Sequence, residues 1–336
     1  MCVESLNGGT GVVAQSIVVR HYWWAGLDFM FDRRGEPVFL EANRASHMLG
    51  EYQELVGNDR PFALTAAAMN AAGGTPCLLW RAGDPFPDAD EDACFIAARL
   101  MPHLREPPVI CNVEANEDPR TELIDRDGRP VRPGSIFRWW YGLPWSYERA
   151  GVRVINPNCA WVAVRDKWRC SQAVQAAATF RTPRGFAVES AAEVSRILQE
   201  HADLFAEGYV VKPRIGWGGH GVQVAAKDEP PHRFSGKHLL QERIVPPLRT
   251  GRFWVVRAFV MAGEYLGGVC HTSTEPVTNY WQGGRAEPLP KEWSDALEPA
   301  ALEAVALLDA AAAAIHELPV PESELTLVNY TGRGMN

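Results

Sequence analysis

Apolar positions alternate with polar ones at every second residue over several short stretches, and recur every three to four residues over a few longer ones. The first rhythm predicts strands and the second helices. From Ser16 to Asn43 it predicts two strands, SIVVRHYWWAGLDFMFD and EPVFLEAN, joined by a turn at Asp32-Arg33-Arg34-Gly35. From about Gly50 to Gly151, helical patterns (FALTAAAMNAAG, DACFIAARLMPHL) alternate with short strands (PCLLW, PVICNVEA, SIFRWW), the pattern of a parallel α/β lobe. A helical run VRDKWRCSQAVQAAATF follows VRVINPN, and after the Thr182-Pro183-Arg184 break comes an amphipathic helix, AAEVSRILQEHADLF. Strands are expected at YVVKPRI, GVQVAA, HLLQERIV, FWVVRAFVMAG and EYLGGVCHTS, then an Ala-rich helix from about Ser294 to His316 and a Pro-flanked tail. There is no repeat and no low-complexity linker.

Composition narrows the class. At 336 residues with 46% hydrophobic and 22% charged content, the chain can bury a core divided into two or three lobes. A net charge of −8 argues against a broad nucleic-acid surface, so any phosphate site must be local. Cys2, Cys77, Cys94, Cys111, Cys159, Cys170 and Cys270 are odd in number and form no C-x-x-C pair, which suits reduced, mostly buried thiols. No basic-then-apolar leader opens the sequence, and Arg20, Asp28, Glu303 and Asp309 interrupt its apolar stretches, so a cytoplasmic protein is expected.

Two segments carry candidate chemistry. Gly216, Gly218, Gly219 and Gly221 lie in IGWGGHG, between a strand and a further alternating strand. A dinucleotide fingerprint needs a helix after its glycines, so this loop reads as a hairpin tip instead. Its backbone N–H groups can fold over phosphates, and Lys212 adds a compact positive charge. In the first hairpin, Glu41 and Asn43 share a strand face and Asp28 can join them from the neighbouring strand. Two carboxylates and an amide oxygen on a rigid sheet form a hard-oxygen set suited to Mg²⁺. Both carboxylates sit among apolar residues, where an unpaired charge is costly.

These residues resemble the ATP-grasp superfamily of carboxylate-amine and carboxylate-thiol ligases. The metal motif of that family, G-x-D-F followed by a turn and L-E-x-N, is matched by Gly26-Leu27-Asp28-Phe29 and Leu40-Glu41-Ala42-Asn43. The glycine hairpin after Val211-Lys212-Pro213 is similar to the family's phosphate-covering loop. Asn156-Pro157 then Asp166-Lys167 resembles the entry to its nucleotide domain, with Lys167 on phosphate, and Leu240-Gln241-Glu242-Arg243-Ile244 resembles its adenine hinge. Arg257 and Asn279 match downstream phosphate and metal positions, whereas His271 and Val255 depart from the family's basic and acidic residues.

The order is rotated, because the D…E-x-N strands usually follow the Ala-rich helix and here come first. The resemblance therefore implies an α/β ATP-grasp fold in circularly permuted order with a Rossmann-like preceding lobe. Its expected parts are the metal-motif strands (1–50), the α/β lobe (51–160), the lid with the glycine loop (161–240) and the core with the long helix (241–336). Permutation further predicts that the tail from Glu324 to Asn336 lies close to the first 20 residues.

The resemblance implies ATP and Mg²⁺ as cofactors, with Lys167, Lys212 and the glycine loop on the phosphates and Asp28, Glu41 and Asn43 on the metal. Arg257 and Lys212 are the expected catalytic cations. A carboxylic acid becomes an acyl phosphate, then an amide. Arg44, His47 and Arg138 are candidate substrate contacts, Arg44 and Arg138 as bidentate carboxylate grips, with core packing an equal alternative for the FRWWYGLPW run. A small-molecule kinase and an inactive nucleotide-binding regulator remain open, as does homodimerisation; no nucleic-acid or membrane partner is expected.

Overall fold

Alternation along residues 24–31 sorts one strand between two environments, and that sorting organises the protein. The computed structural model describes residues 17–43, 49–80, 89–112, 122–138, 143, 145–216, 218–247, 251–278 and 284–317. The chain begins with β1 (Trp24–Phe31), β2 (Pro37–Asn43), α1 (Leu49–Val56), α2 (Arg60–Ala72), β3 (Thr75–Trp80) and α3 (Ala89–Leu100). It continues through β4 (Val109–Asn112), β5 (Leu123–Asp125), β6 (Pro130–Val131), β7 (Pro133–Phe137), α4 (Trp145–Arg149), β8 (Arg153–Ile155), α5 (Asn158–Arg165) and α6 (Lys167–Ala173). Then come β9 (Gly185–Ser190), α7 (Ala191–Glu200), β10 (Tyr209–Pro213), β11 (Gln223–Ala225) and β12 (Ser235–Glu242). The last described elements are β13 (Phe253–Met261), β14 (Glu264–Ser273), β15 (Arg285–Pro288) and α8 (Lys291–Glu317).

Among the described residues the strands form three sheets. The first, in order β15-β14-β13-β1-β2, is antiparallel throughout, so strands from the start of the chain pair directly with strands from its last third. The second, β11-β10-β12-β9, is also antiparallel. The third runs β6-β5-β4-β3-β7-β8, with β4, β3, β7 and β8 parallel and the short β5 and β6 antiparallel at its edge.

On β1, Ala25, Leu27, Phe29 and Phe31 join Leu297, Ala301, Val305 and Leu308 of α8 in one apolar core. Trp24 faces the other way, packing with Phe62, Phe137 and Phe259 against the parallel sheet. Asp28 shares that second face, so the period of two that buries Leu27 and Phe29 under the helix also delivers a carboxylate to the opposite side.

Helix α8 is, among the described residues, long and apolar enough to cross a membrane, with a mean hydropathy of 1.4 over its most apolar window. Its apolar side is instead the underside of the first sheet. Its two interrupting acids are engaged. Glu303 accepts from the backbone of Ala178 and Thr179, and buried Asp309 accepts from the backbone N–H groups of Arg20, His21 and Tyr22 at 2.7–3.2 Å.

That last contact corrects one expectation. Among the described residues, pairing of the first strand starts only at Trp24, because the backbone donors of Arg20, His21 and Tyr22 bond a helix side chain instead of a neighbouring strand. The helix expected over residues 164–180 is also divided. Asp166 caps a new helix by accepting from the N–H groups of Trp168 and Arg169, so α5 ends before it and α6 closes at Ala173. The tail from Glu324 to Asn336 lies outside the described residues.

Candidate active site

A bulge sets the first half of the site. In the β1–β2 ladder Asp28 pairs with Glu41 and Phe29 with Phe39, leaving Leu40 as the extra residue. Regular alternation would put Phe39 and Glu41 on one face. The bulge sends Phe39 into the core under α8, where it meets Phe29, and turns Glu41 and Asn43 towards Asp28. Arg257, opposite Asp28 on β13, grips its carboxylate with Nε and Nη2, both at 2.8 Å. Asn43 Nδ2 donates to Asp28 Oδ2 at 3.3 Å and to the Gly26 carbonyl at 3.2 Å, while the Tyr22 hydroxyl donates to the Asn43 carbonyl.

The second sheet supplies the other half. The glycine loop links β10 and β11, which pair antiparallel, so it is a hairpin tip with no helix after its glycines. Gly218, Gly219 and Gly221 all have positive φ, a conformation open to glycine at little cost. Trp217 lies outside the described residues.

Lys167, the first residue of α6, reaches the loop and the hairpin together. Its ammonium donates to the Gly216 carbonyl at 2.7 Å and lies 3.6 Å from Glu41 Oε2. Its own backbone N–H donates to the Arg214 carbonyl, and Arg214 grips Asp166 through Nε and Nη2. The pull of Arg214 and the capping N–H groups outweighs burial and holds the Asp166 carboxyl below its ordinary value. Arg214 was not singled out from the sequence; its place two residues after Lys212, at the mouth of the loop, was the available signal.

Lys212 is 7% exposed, with Glu41 Oε2 3.9 Å away and the Leu40 carbonyl at 3.5 Å. Both distances exceed an ordinary N–H···O bond of about 2.7–3.2 Å. The Leu40 carbonyl belongs to the bulge residue that the strand ladder skips, so one backbone irregularity orients Glu41 and offers Lys212 an acceptor. Burial, the largest influence, pulls the Lys212 ammonium below the usual lysine value; Glu41 opposes this and Lys167 adds to it. Three cationic side chains, Arg257, Lys167 and Lys212, thus surround two carboxylates, Asp28 and Glu41.

A search of family models and of curated proteins finds no match to this sequence. Among solved structures, a gamma-glutamylcysteine synthetase-like protein from Methylobacillus flagellatus aligns over 88% of this chain and 89% of its own, with a TM-score of 0.54 at 12% identity. The chain has the ATP-grasp fold. D-alanyl-alanine synthetase A from Vibrio cholerae aligns over 69% of this chain and 80% of its own, at a TM-score of 0.45 and 14% identity. At such identities the likeness is one of architecture, and chemistry has to be argued from the side chains.

Within the ATP-grasp fold, Lys212 and Gln241 share one face of the second sheet, since Val210 pairs with Gln241 and Lys212 with Leu239. Gln241 is buried and donates to the Pro183 carbonyl. The Glu242 carboxylate is committed to Arg181 at 2.9 Å and Arg184 at 3.2 Å; burial would raise its pKa, but the bonds from Arg184 hold it below the ordinary value. Any ligand contact from 241–244 therefore falls to groups other than that side chain. The Arg243 N–H donates to the Gly208 carbonyl, and Ile244 is half-buried.

Arg138 is placed differently from the expectation of a substrate grip. It is 1% exposed, donates to the Asn156 carbonyl at 2.8 Å and Asn158 Oδ1 at 2.6 Å, and its guanidinium lies 4.0 Å from the Trp161 ring centroid. A cation so enclosed ties β7 to the β8–α5 turn. Arg44, His47 and Asn279 lie outside the described residues. His271 sits two residues beyond Val269, the partner of Arg257, and so on the same sheet face; burial, then Arg257, lowers its imidazole to a pKa of about 3.

Proposed function

We propose that this protein is an ATP-dependent ligase that activates a small carboxylic acid as an acyl phosphate and joins it to an amine, releasing ADP and phosphate. The observation that carries the reading is Lys212, an enclosed ammonium with only long contacts, aimed with Lys167 at the Asp28–Glu41–Asn43 edge beneath a glycine hairpin. A buried ammonium is costly without full hydrogen bonding, and phosphate oxygens at this position would complete it.

The donor set also suits Mg²⁺. Asp28 and Glu41 offer carboxylate oxygens and Asn43 an amide oxygen on one face. Asp28 Oδ1, which accepts from Arg257 Nε, keeps a further lone pair, whereas Oδ2 accepts from both Arg257 Nη2 and Asn43 Nδ2. Asp28, Glu41 and Asn43 would hold the ion, which supplies charge neutralisation to the phosphates. Lys167 and Lys212 neutralise the transferred phosphoryl group, and Arg257 fixes the Asp28 carboxylate in place. The glycine hairpin, through its backbone N–H groups, covers the phosphates and excludes water. The substrates are expected to be amino-acid-like or peptide-like, and the setting cytoplasmic.

The test is turnover of ATP with a panel of carboxylic acids, with hydroxylamine present to capture an acyl phosphate as hydroxamate. Acid-dependent hydroxamate formation with equimolar ADP is the expected result. ADP with a stable phosphorylated product and no hydroxamate would replace this reading by a kinase. Tight ATP binding without ADP across the panel would replace it by a regulator.

We also propose that the order of elements is a circular permutation, with segments 1–50, 51–160, 161–240 and 241–336 as its parts. Two contacts support this: β1 pairs with β13 in one sheet, and the approach to β1 bonds Asp309 on α8. A chain re-joined so that residues 17–48 follow α8 through a flexible linker is expected to keep its Tm within about 5 °C and retain ATP turnover. Failure of that chain to fold cooperatively would count against permutation.

A further inference from the structure

Where the chain enters β1, three potential metal ligands from three parts of the sequence converge, with a fourth group nearby. His21 lies just before β1, Cys159 in the first turn of α5 and His316 in the last turn of α8, with one ligand atom from each within 4.8 Å of the others. The His21 and His316 rings are 5.2 Å apart between centroids. Cys159 is a buried free thiol. The fourth group is Glu148 on α4. Its Oε1 accepts from the N–H of Asn158, the residue before Cys159, at 2.7 Å, while its Oε2 is buried without a hydrogen-bond partner. Glu148 also interacts electrostatically with both Cys159 and His316.

A buried carboxylate oxygen without a donor is costly, and one close to a thiol and an imidazole is placed to serve a bound cation. We propose that His21, Cys159 and His316, with Glu148 as fourth ligand or as acceptor for a bound water, form a zinc site separate from the nucleotide cleft. The donor chemistry selects the ion. Imidazole nitrogen and thiolate sulfur suit Zn²⁺ in tetrahedral coordination, whereas Mg²⁺ and Ca²⁺ demand oxygen. Charge agrees as well: a thiolate and a carboxylate balance a divalent ion, and Asp309 on the backbone N–H of His21 helps offset the nearby cations Arg153, Arg20 and Arg138. On binding, the Cys159 thiol releases its proton to solvent and the sulfur donates a lone pair to the metal, with no change of oxidation state.

Such an ion would fasten the end of α8 to the entry of β1 and to α5, whose far end leads into Asp166 and Lys167. It would thereby stabilise the scaffold behind the nucleotide cleft without touching a substrate.

The test is titration of the purified, chelator-treated full chain with Co²⁺. One equivalent should produce a near-ultraviolet thiolate-to-cobalt charge-transfer band together with intense visible bands of tetrahedral cobalt. Co²⁺ on the oxygen ligands Asp28, Glu41 and Asn43 gives no sulfur band, so the two sites are distinguishable. His316→Ala, at an exposed position, is expected to weaken binding about tenfold or more, and Cys159→Ser to abolish the charge-transfer band. Zn²⁺ at about 100 times the wild-type Kd should raise the wild-type Tm by roughly 4 °C and that of His316→Ala by about half as much or less. A wild-type chain lacking the sulfur band, or unchanged Co²⁺ affinity and Zn²⁺ stabilisation in His316→Ala, overturns the proposal, and the latter holds even if Cys159→Ser does not fold.

Discussion

Lys212→Met is expected to lower kcat for ATP turnover by about 10²–10³-fold, while Tm stays within about 2 °C of the wild-type value or rises. The two outcomes share one cause. Methionine fills nearly the same channel between the second sheet and β2, so packing is kept, but the cation facing the transferred phosphoryl group is gone. In the free protein that cation is held at a disadvantage, because burial lowers its pKa and its acceptors stand at 3.5 and 3.9 Å. Removing it leaves Glu41 paired with Lys167 at 3.6 Å, so no carboxylate is stranded. Steady-state kinetics and calorimetry on the same preparation decide the matter. Retained turnover would remove Lys212 from the chemistry, and a fall in Tm beyond about 5 °C would make it a structural residue.

Glu41→Gln is expected to separate binding from catalysis. Glutamine keeps the size and one oxygen donor but loses the charge, so affinity for Mg²⁺ falls and kcat drops by about 10²-fold or more. Lys167 and Lys212 lose the carboxylate they share, and their field on an approaching anion strengthens. ATP measured without Mg²⁺ should therefore bind the variant as tightly as wild type, or more tightly, while turnover collapses. A purely structural role for Glu41 would instead weaken binding and stability together. A kcat within about twofold of wild type would remove Glu41 from the metal site.

Residue patterns disclosed much of this arrangement in advance. The hairpin with Asp28, Glu41 and Asn43, the strand bearing Lys212, the glycine tip and the Ala-rich helix all follow from short-range periodicity and turn chemistry, which act over a few residues. What stayed hidden depends on partners distant in sequence. The start of β1 is set by Asp309, nearly 290 residues away, and the break before α6 by Asp166, which also answers to Arg214. Arg138, in an aromatic run, could be read from the sequence as a carboxylate grip or as core packing, and only Asn156, Asn158 and Trp161, which enclose it, show its place. Glu242 likewise lost its apparent freedom to Arg181 and Arg184, and no local rule foretells such long-range pairings.

The skipped residue in β2 makes reading frame a chemical property of this segment. Phe39 belongs to the core and Glu41 to the cleft only because Leu40 is surplus to the ladder. Excising Leu40 would give a regular hairpin in which Phe39 and Glu41, then adjacent, still face opposite ways, at the loss of the carbonyl beside Lys212. Deletion of Leu40 should thus be better tolerated than deletion of Ala42, which would turn Asn43 from the cleft into the core.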